Sequence, residues 1–366
     1  MGREILSVAD QFGATVVEPA DEKETAAILR GANETGRAVI PTGGGTKLDW
    51  GNPPRKADVL LSMRHQNRVI EHAWADLTVT VEAGCTIANL QRTLAQHGQR
   101  LAVDPLWPER ATVGGILATN DSGALRLGYG SLRDLVIGIT LALADGTIAS
   151  SGGKVVKNVA GYDLPKLITG SLGTLGVITR AVFRLHPLPR NTRTLTIVVT
   201  GASEMQRVIS AILGAQLAPA AVQARDGSVD ILLEGTTDGI AAQESAIKEF
   251  GTVREGSPEV WTAREELWGD GAIVKFSVLP SRIAATSAAF SRFVIQATGI
   301  GFAHFDGDLG SLRTSIEQDG GSLVILGRTN HDAWGSPGDA LPLMRAVKDQ
   351  FDPKGTLNPG RFVGGI

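Results

Sequence analysis

At 366 residues the chain exceeds one average domain, so two domains with separate cores are the expectation. With 35 Lys and Arg against 38 Asp and Glu the net charge is −3 and the pI near 6.1, which excludes a basic field for a nucleic-acid backbone; small or anionic ligands would need locally placed donors. The single cysteine, Cys85, rules out an intramolecular disulfide and any iron–sulfur or thiolate-zinc site built from this chain, and it fits a reducing cytoplasm.

The opening "MGREILSVAD" carries charges within its first four residues and lacks a signal-peptide core. Leu6 stands where a myristoylation motif needs Ser or Thr. The longest apolar run, near residues 135 to 144, is far shorter than the ~20 residues of a membrane helix, so no direct span is expected. Helical spacing of Ala26 and Leu29 predicts a helix over 21–34, followed by a short strand at Ala38, Val39 and Ile40 ending at Pro41. "LTVTVEAG" alternates as a strand, and residues 86 to 97 read as a helix closed by Gly98. "LVIGITLALADGTIAS" predicts a long strand turning at Asp145-Gly146, and residues 176 to 186 alternate as another strand. "HPLPR" then breaks the pattern, which makes residues 187 to 189 the candidate boundary. Beyond it come strand 194–200, helix 203–214, a hairpin at Asp226-Gly227, helix 239–250, strand 272–279, helix 281–298, strands near 300–305 and 322–327, and a last helix around 339–350. This order predicts an α+β sheet with helices on one face.

Glycine-dense loops carry the chemistry. In "VIPTGGGTKLDW" a strand runs into Gly43, Gly44 and Gly45, whose missing side chains let main-chain N–H groups converge on an anion such as phosphate; a tight surface turn is the plain alternative. The run is neither a dinucleotide fingerprint, since Leu48 to Pro53 start no helix, nor a Walker loop, since Val155 follows Gly153-Lys154 and Ile148 replaces the first glycine. "ATVGGILATNDSG" adds Thr112 as a helix N-cap, Gly114 and Gly115 in the first turn, and a polar turn at Asn120, Ser122 and Gly123. "GSLGTLGVIT" is a third such loop. Three of them on one half of the chain predict convergence on one extended, polyphosphorylated ligand.

"PTGGGTK", "DPLWPERATVGGILATNDSGALRLGYGSLRDLVIG", "GGKVVKNVAGYDLPKLITGSLGTLGVIT" and "FDPKGTLNPGRF" occur in the order found in FAD-linked oxidoreductases of the vanillyl-alcohol oxidase type. Within that family the whole chain resembles the FAD-binding subunit of bacterial glycolate oxidase, also called glycolate dehydrogenase. "KNVAGYDLPKL", and Leu172 where catalytic relatives more often have Glu, carry that finer likeness. The resemblance implies an α+β fold in three stretches: a two-part FAD-binding domain of the PCMH type over 1–188, a C-terminal α+β cap with an antiparallel sheet over 189–340, and a segment over 341–366 that returns to the FAD-binding domain. FAD would lie between domain and cap. Residues Thr42, Gly43, Gly44, Gly45, Thr46 and Lys47 would form the pyrophosphate loop, facing the diphosphate with backbone amides. Pro105 and the run Thr112, Val113, Gly114, Gly115 would lie along the flavin and ribityl chain, with Asn120, Ser122 and Gly123 continuing that wall. Gly173, Gly176, Val177 and Ile178 would border the adenosine end, and Asn358, Pro359 and Gly360 would fold back towards the flavin. None of the six histidines lies within 41–47 or 105–123, so FAD is expected to be non-covalent.

Oxidation of a 2-hydroxy acid needs a cation for the carboxylate, a base or metal for the hydroxyl proton, and a hydride acceptor. The resemblance implies paired histidines and a Glu-His step in the second domain of catalytic relatives, and this chain offers only His304 and His331 there, so no metal site is expected and no catalytic residue is assigned. His304 with Arg264, Lys275 or Arg313 is the nearest candidate acid site, against a structural histidine in a strand. Trp261 and Trp268, seven apart, read as a helix packing face, and His65 and His72 as surface residues. The chain is thus expected to be one flavin subunit of a complex oxidising glycolate to glyoxylate, with a homologous flavin subunit and an iron–sulfur subunit as partners, cytoplasmic or held at the inner membrane face through them. The alternative is a self-sufficient dehydrogenase of glycolate or D-lactate, and an FAD-free scaffold is the reading outside enzymes.

Overall fold

The computed structural model describes residues 3–153, 163–269, 271–327 and 331–366, so residues 157 to 162 of the "KNVAGYDLPKL" motif lie outside the described residues. The chain divides into two compact units. One comprises Met1–Asp121, Ser131–Leu188 and Ser336–Ile366, the other Ser122–Gly130 and Pro189–Gly335.

In the first unit a parallel sheet has the order Thr15–Val17, Val59–Ser62, Val39–Thr42. Such a sheet is covered on both faces, so its strands are continuous apolar runs, and Val39, Ile40, Leu60 and Leu61 are all buried. The helix Glu22–Thr35 begins where the Asp21 carboxylate accepts the Glu24 amide at 2.9 Å, and it stops at Gly36 with φ 66°. Its Leu29 and Ala32 pack on Val39, Val59 and Leu61. The strand that delivers Gly43 is therefore held on rigid support. Leu357 pairs in parallel beside Val39, with the Val39 amide donating to Thr356 O (2.8 Å) and the Asn358 amide to Val39 O (3.0 Å), so the C-terminal segment joins the strand that feeds the glycine run.

A second, antiparallel sheet runs Val69–Ala73, Thr78–Glu82, Val177–Arg184, Val136–Ala142, Ile148–Gly152. Inward residues of these strands meet Ile87, Leu90 and Leu94 of the helix Ile87–Ala95 and Val113, Ile116 and Leu117 of the helix Val113–Thr119 in one core. The expected hairpin turns at Asp145-Gly146, with Gly146 at φ 83° and the Thr147 amide bonded to the Asp145 carboxylate at 2.8 Å.

The second unit holds an eight-stranded antiparallel sheet in the order Val253–Glu255, Asn191–Val198, Ser228–Gly235, Ala221–Arg225, Arg292–Gln296, Ile300–Phe305, Ala272–Ser277, Ser322–Leu326. Helices Ala202–Gly214, Thr237–Ile247, Ile283–Ser287 and Leu309–Gln318 share one apolar cluster with Ile197, Val222, Ile231, Val274, Phe276 and Ile295. Two expectations fail here. The helix expected over 281–298 ends at Ser287, and Arg292–Gln296 is a strand, because the run Phe293-Val294-Ile295 finds ladder partners on both sides, which isolated helical spacing cannot register. Trp261 and Trp268 do not share a helix face, since only 3₁₀ turns form at Pro258–Thr262 and Glu265–Leu267; instead Trp261 Nε1 donates to Thr194 Oγ1 at 3.1 Å and Trp268 packs on Phe302.

Glu82 ends the strand that leads into the candidate site. Its carboxylate accepts the Arg68 amide at 2.7 Å and the Arg68 guanidinium at 2.7 to 3.2 Å. Burial pushes its pKa up, but the Arg68 hydrogen bonds and charge outweigh that and hold it below the usual 4.5. With the folded value below the unfolded one, this stabilisation is present at neutral pH and lost as pH falls below 4.5 through the folded value. Glu82→Gln should cost about 1–2 kcal/mol of unfolding free energy at pH 7 and progressively less in acid. Equal losses in denaturant melts at neutral and acid pH would contradict this.

Candidate functional site

Three loops and the C-terminal segment meet in the first unit around a cleft of about 730 Å³, open mouth included. The strand Val39–Thr42 delivers the first wall, Thr42 to Leu48. A Cβ on Gly44 would overlap the Arg110 carbonyl, and one on Gly43 would overlap Thr112 Oγ1; Gly45 sits at φ 75°. Glycine is thus required by contact between this loop and the next. The amides of Gly43, Gly44 and Gly45 find no acceptor among the described residues, and Thr42 Oγ1 and Asn358 Oδ1, both buried at the cleft, find no partner there either. A row of unpaired N–H groups beside orphaned side-chain oxygens suits a ligand with anionic oxygens and further donors, as a dinucleotide has.

The second wall is Thr112, Gly114 and Gly115. Thr112 caps its helix by accepting the Gly115 amide at 3.3 Å, and the Gly114 amide donates to Ala83 O at 2.8 Å. Those two amides are therefore spent within the chain, and Gly114 is small because Ala83 approaches it. The third wall is Leu172, Gly173 and Gly176 to Ile178, with Asn358 reaching it by donating from Nδ2 to Leu172 O at 2.5 Å.

Lys47 lines the cleft, but its ammonium lies 3.2 Å from the buried Asp121 carboxylate, 3.4 Å from Leu106 O, and 5.6 Å from the rings of both Trp50 and Trp107. It anchors the loop's end. Arg361 donates to Leu48 O and Trp50 O, each at 2.7 Å, and burial pushes its pKa down to about 10. Among the described residues five non-glycine residues have positive φ, and Trp107, Asn120, Leu172 and Asn358 among them belong to segments building this cleft. Such backbones persist only where their surroundings hold them.

Not all expected residues face the cleft. Val113 is fully buried in the core with its amide on Cys85 O, because helix period turns it away from Gly114. Pro105 is buried and Asn120 caps the helix end at φ 47°, neither lining the cleft. Ser122 and Gly123 fall in the second unit, where Ser122 O accepts Arg264 Nη1 (3.4 Å) and Gln296 Nε2 (3.5 Å). Met63, Ala83, Leu172 and Arg361 line the cleft without having been expected to. Arg361 stood within a quoted motif; Met63 and Ala83 follow strand ends, the one signal that could have marked them.

In the second unit the Arg264 guanidinium lies 5.2 Å from the Phe302 ring and Lys275 Nζ 5.7 Å from the same ring. Lys275 pairs across strands with Phe302, as Ile273 does with His304. His304 Nδ1 is 3.4 Å from Asp306, whereas Arg313 turns to the carbonyls of Asp332 and Ala333. His65 is half exposed beside Glu18, and His72 bonds Gln99.

Gly44→Ala should weaken FAD uptake at least about tenfold, because backbone cannot yield as a side-chain end can, whereas Gly201→Ala, with open space around it, should leave uptake unchanged. Fluorescence titration of both variants with FAD checks this, and normal uptake by Gly44→Ala would remove the contact from the argument.

Two protein families match the chain: "FAD binding domain" over residues 13–152 and "FAD linked oxidases, C-terminal domain" over 336–362. The glycolate oxidase subunit GlcD of Bacillus subtilis is 34% identical over 60% of this chain, but the chain spans only 47% of that relative. The glycolate oxidase subunit GlcE of Escherichia coli is 28% identical over 82% of this chain and 86% of its own length. A solved structure of alkyldihydroxyacetonephosphate synthase superposes with a TM-score of 0.71 at 18% identity, covering 95% of this chain and 77% of that one, which shows the shared fold. With the FAD binding domain matched over residues 13–152 and the C-terminal domain of FAD linked oxidases over 336–362, the chain is similar to FAD-linked oxidoreductases and takes FAD as its cofactor.

Proposed function

We propose that this chain is an FAD-holding subunit of a complex that oxidises glycolate to glyoxylate, working beside a second flavin subunit and an iron–sulfur subunit. The observation that carries the reading is the extent of likeness to the subunit named GlcE, which runs over most of both chains, whereas likeness to the subunit named GlcD covers less than half of that protein. The unpaired amides of Gly43, Gly44 and Gly45 would hold the diphosphate, Thr42 and Asn358 would supply the orphaned oxygens to neighbouring donors, and Gly173 to Ile178 would border the adenosine. Bound FAD would supply the hydride acceptor. No histidine lines the cleft among the described residues, which favours dissociable FAD. Acid precipitation should leave the yellow colour in the supernatant; a yellow pellet would show a covalent link.

One observation favours a second reading, in which the chain oxidises a small 2-hydroxy acid by itself: Arg264 and Lys275 bring two cations to one aromatic ring, a setting that would suit a carboxylate. Anaerobic glycolate separates the two readings. The FAD-loaded chain alone should keep its flavin band for minutes and bleach once the partner subunits are added. Bleaching of the isolated chain within seconds, slowed at least about tenfold by Arg264→Met or Lys275→Met, would replace the subunit reading with the second one.

A further inference from the structure

Helix Leu341–Phe351 carries near its end a buried cation, Lys348, that does not line the cleft. Its ammonium donates to Asp352 Oδ2 at 2.6 Å, to Thr174 O at 2.7 Å and to Leu357 O at 3.0 Å, so three donors meet three acceptors. Asp352 is fully buried and accepts the amides of Thr356 at 2.9 Å and Leu357 at 2.7 Å. The carboxylate thus folds the turn that leads to Asn358, and the ammonium ties that turn to the loop carrying Leu172 and Gly173. Asn358 completes the tie through its bond to Leu172 O. A buried ion pair is a weak source of stability, and apolar residues of like volume often stabilise a fold as well. Direction is what this one adds, since only a three-donor group can hold all three acceptors at once.

We infer that Lys348 is a positioning residue for FAD, holding the third wall of the cleft and the Asn358 segment at the spacing the cofactor needs. The inference rests on the assignment of FAD to this cleft. The charged groups facing Lys348 are Asp352 and, on its own helix, Asp349; Thr174 and Leu357 present carbonyls. Burial lowers the Lys348 pKa from the usual 10.5 against the pull of Asp352 and Asp349. Loss of the proton leaves two donors for three acceptors, so the tie weakens as pH rises, and at lower pH than an exposed lysine would titrate.

The experiment is a fluorescence titration of the FAD-free full chain with FAD, alongside circular dichroism and thermal melting. It compares wild type, Lys348→Met, and the double variant Lys348→Met with Asp352→Leu, which leaves no buried charge alone. Both variants should bind FAD at least about tenfold more weakly, the double variant while keeping the wild-type circular dichroism spectrum though melting lower, because Asp352→Leu also strands the Thr356 and Leu357 amides. The wild-type Kd should rise with pH before the usual lysine value of 10.5 is reached, and the double variant's should stay flat over that range. A folded double variant binding within about twofold of wild type overturns the inference, and so does a wild-type Kd that does not rise over that range. Absence of FAD uptake by wild type would overturn the FAD assignment and this inference with it.

Discussion

The cleft depends on main chain approaching main chain. Gly44 lies against the Arg110 carbonyl and Gly43 against the Thr112 hydroxyl, closer than any Cβ would permit. The missing side chains do two things at once. They close the seam between the first and second walls, and the amides of Gly43 to Gly45 find no acceptor among the described residues. A larger residue would part the walls. Milder forms of this contact occur where Gly114 meets Ala83 and Gly173 meets the Asn358 side chain, so the site is a set of segments touching one another.

Loops brought this close cannot satisfy their carbonyl groups by ladder pairing. Buried cations do it instead. Lys47 reaches Leu106 O while paired to Asp121, Lys348 reaches Thr174 O and Leu357 O while paired to Asp352, and Arg361 takes Leu48 O and Trp50 O. Each of these ions costs desolvation, which the lowered pKa values of Lys348 and Arg361 reflect. Each also joins segments far apart in the chain. Two of the three belong to the last 19 residues, which explains how a C-terminal segment that adds little core can govern the geometry of a site built near the front.

Legibility in the sequence followed the range of the forces involved. The helix Glu22–Thr35 announced itself by the spacing of Ala26 and Leu29, and the Asp145-Gly146 hairpin by turn chemistry alone. The segment 281–298 misled because Ile283 and its neighbours do start a helix, while Phe293 to Ile295 obey strand partners that are distant in sequence. Thr42 to Lys47, Gly114, Gly115, Gly173 and Gly176 could be expected at one cleft because glycine-dense loops are visible as composition, whereas Asn358 was expected there only through the family resemblance. Val113 could not be separated from its glycine neighbours, although one step of helix rotation puts it in the core.

What residue order alone determined is local: where a strand must end in glycine, where a helix is capped, and, through motif order, which cofactor the chain is built to take. What only tertiary structure decided is which of those loops meet, which amides stay unpaired, and that Met63, Ala83 and Arg361 share the same cleft. The physical reason is that turn and helix preferences act over a few residues, whereas the contact of Gly44 with Arg110 and the bonds of Lys348 exist only once separate strands have packed.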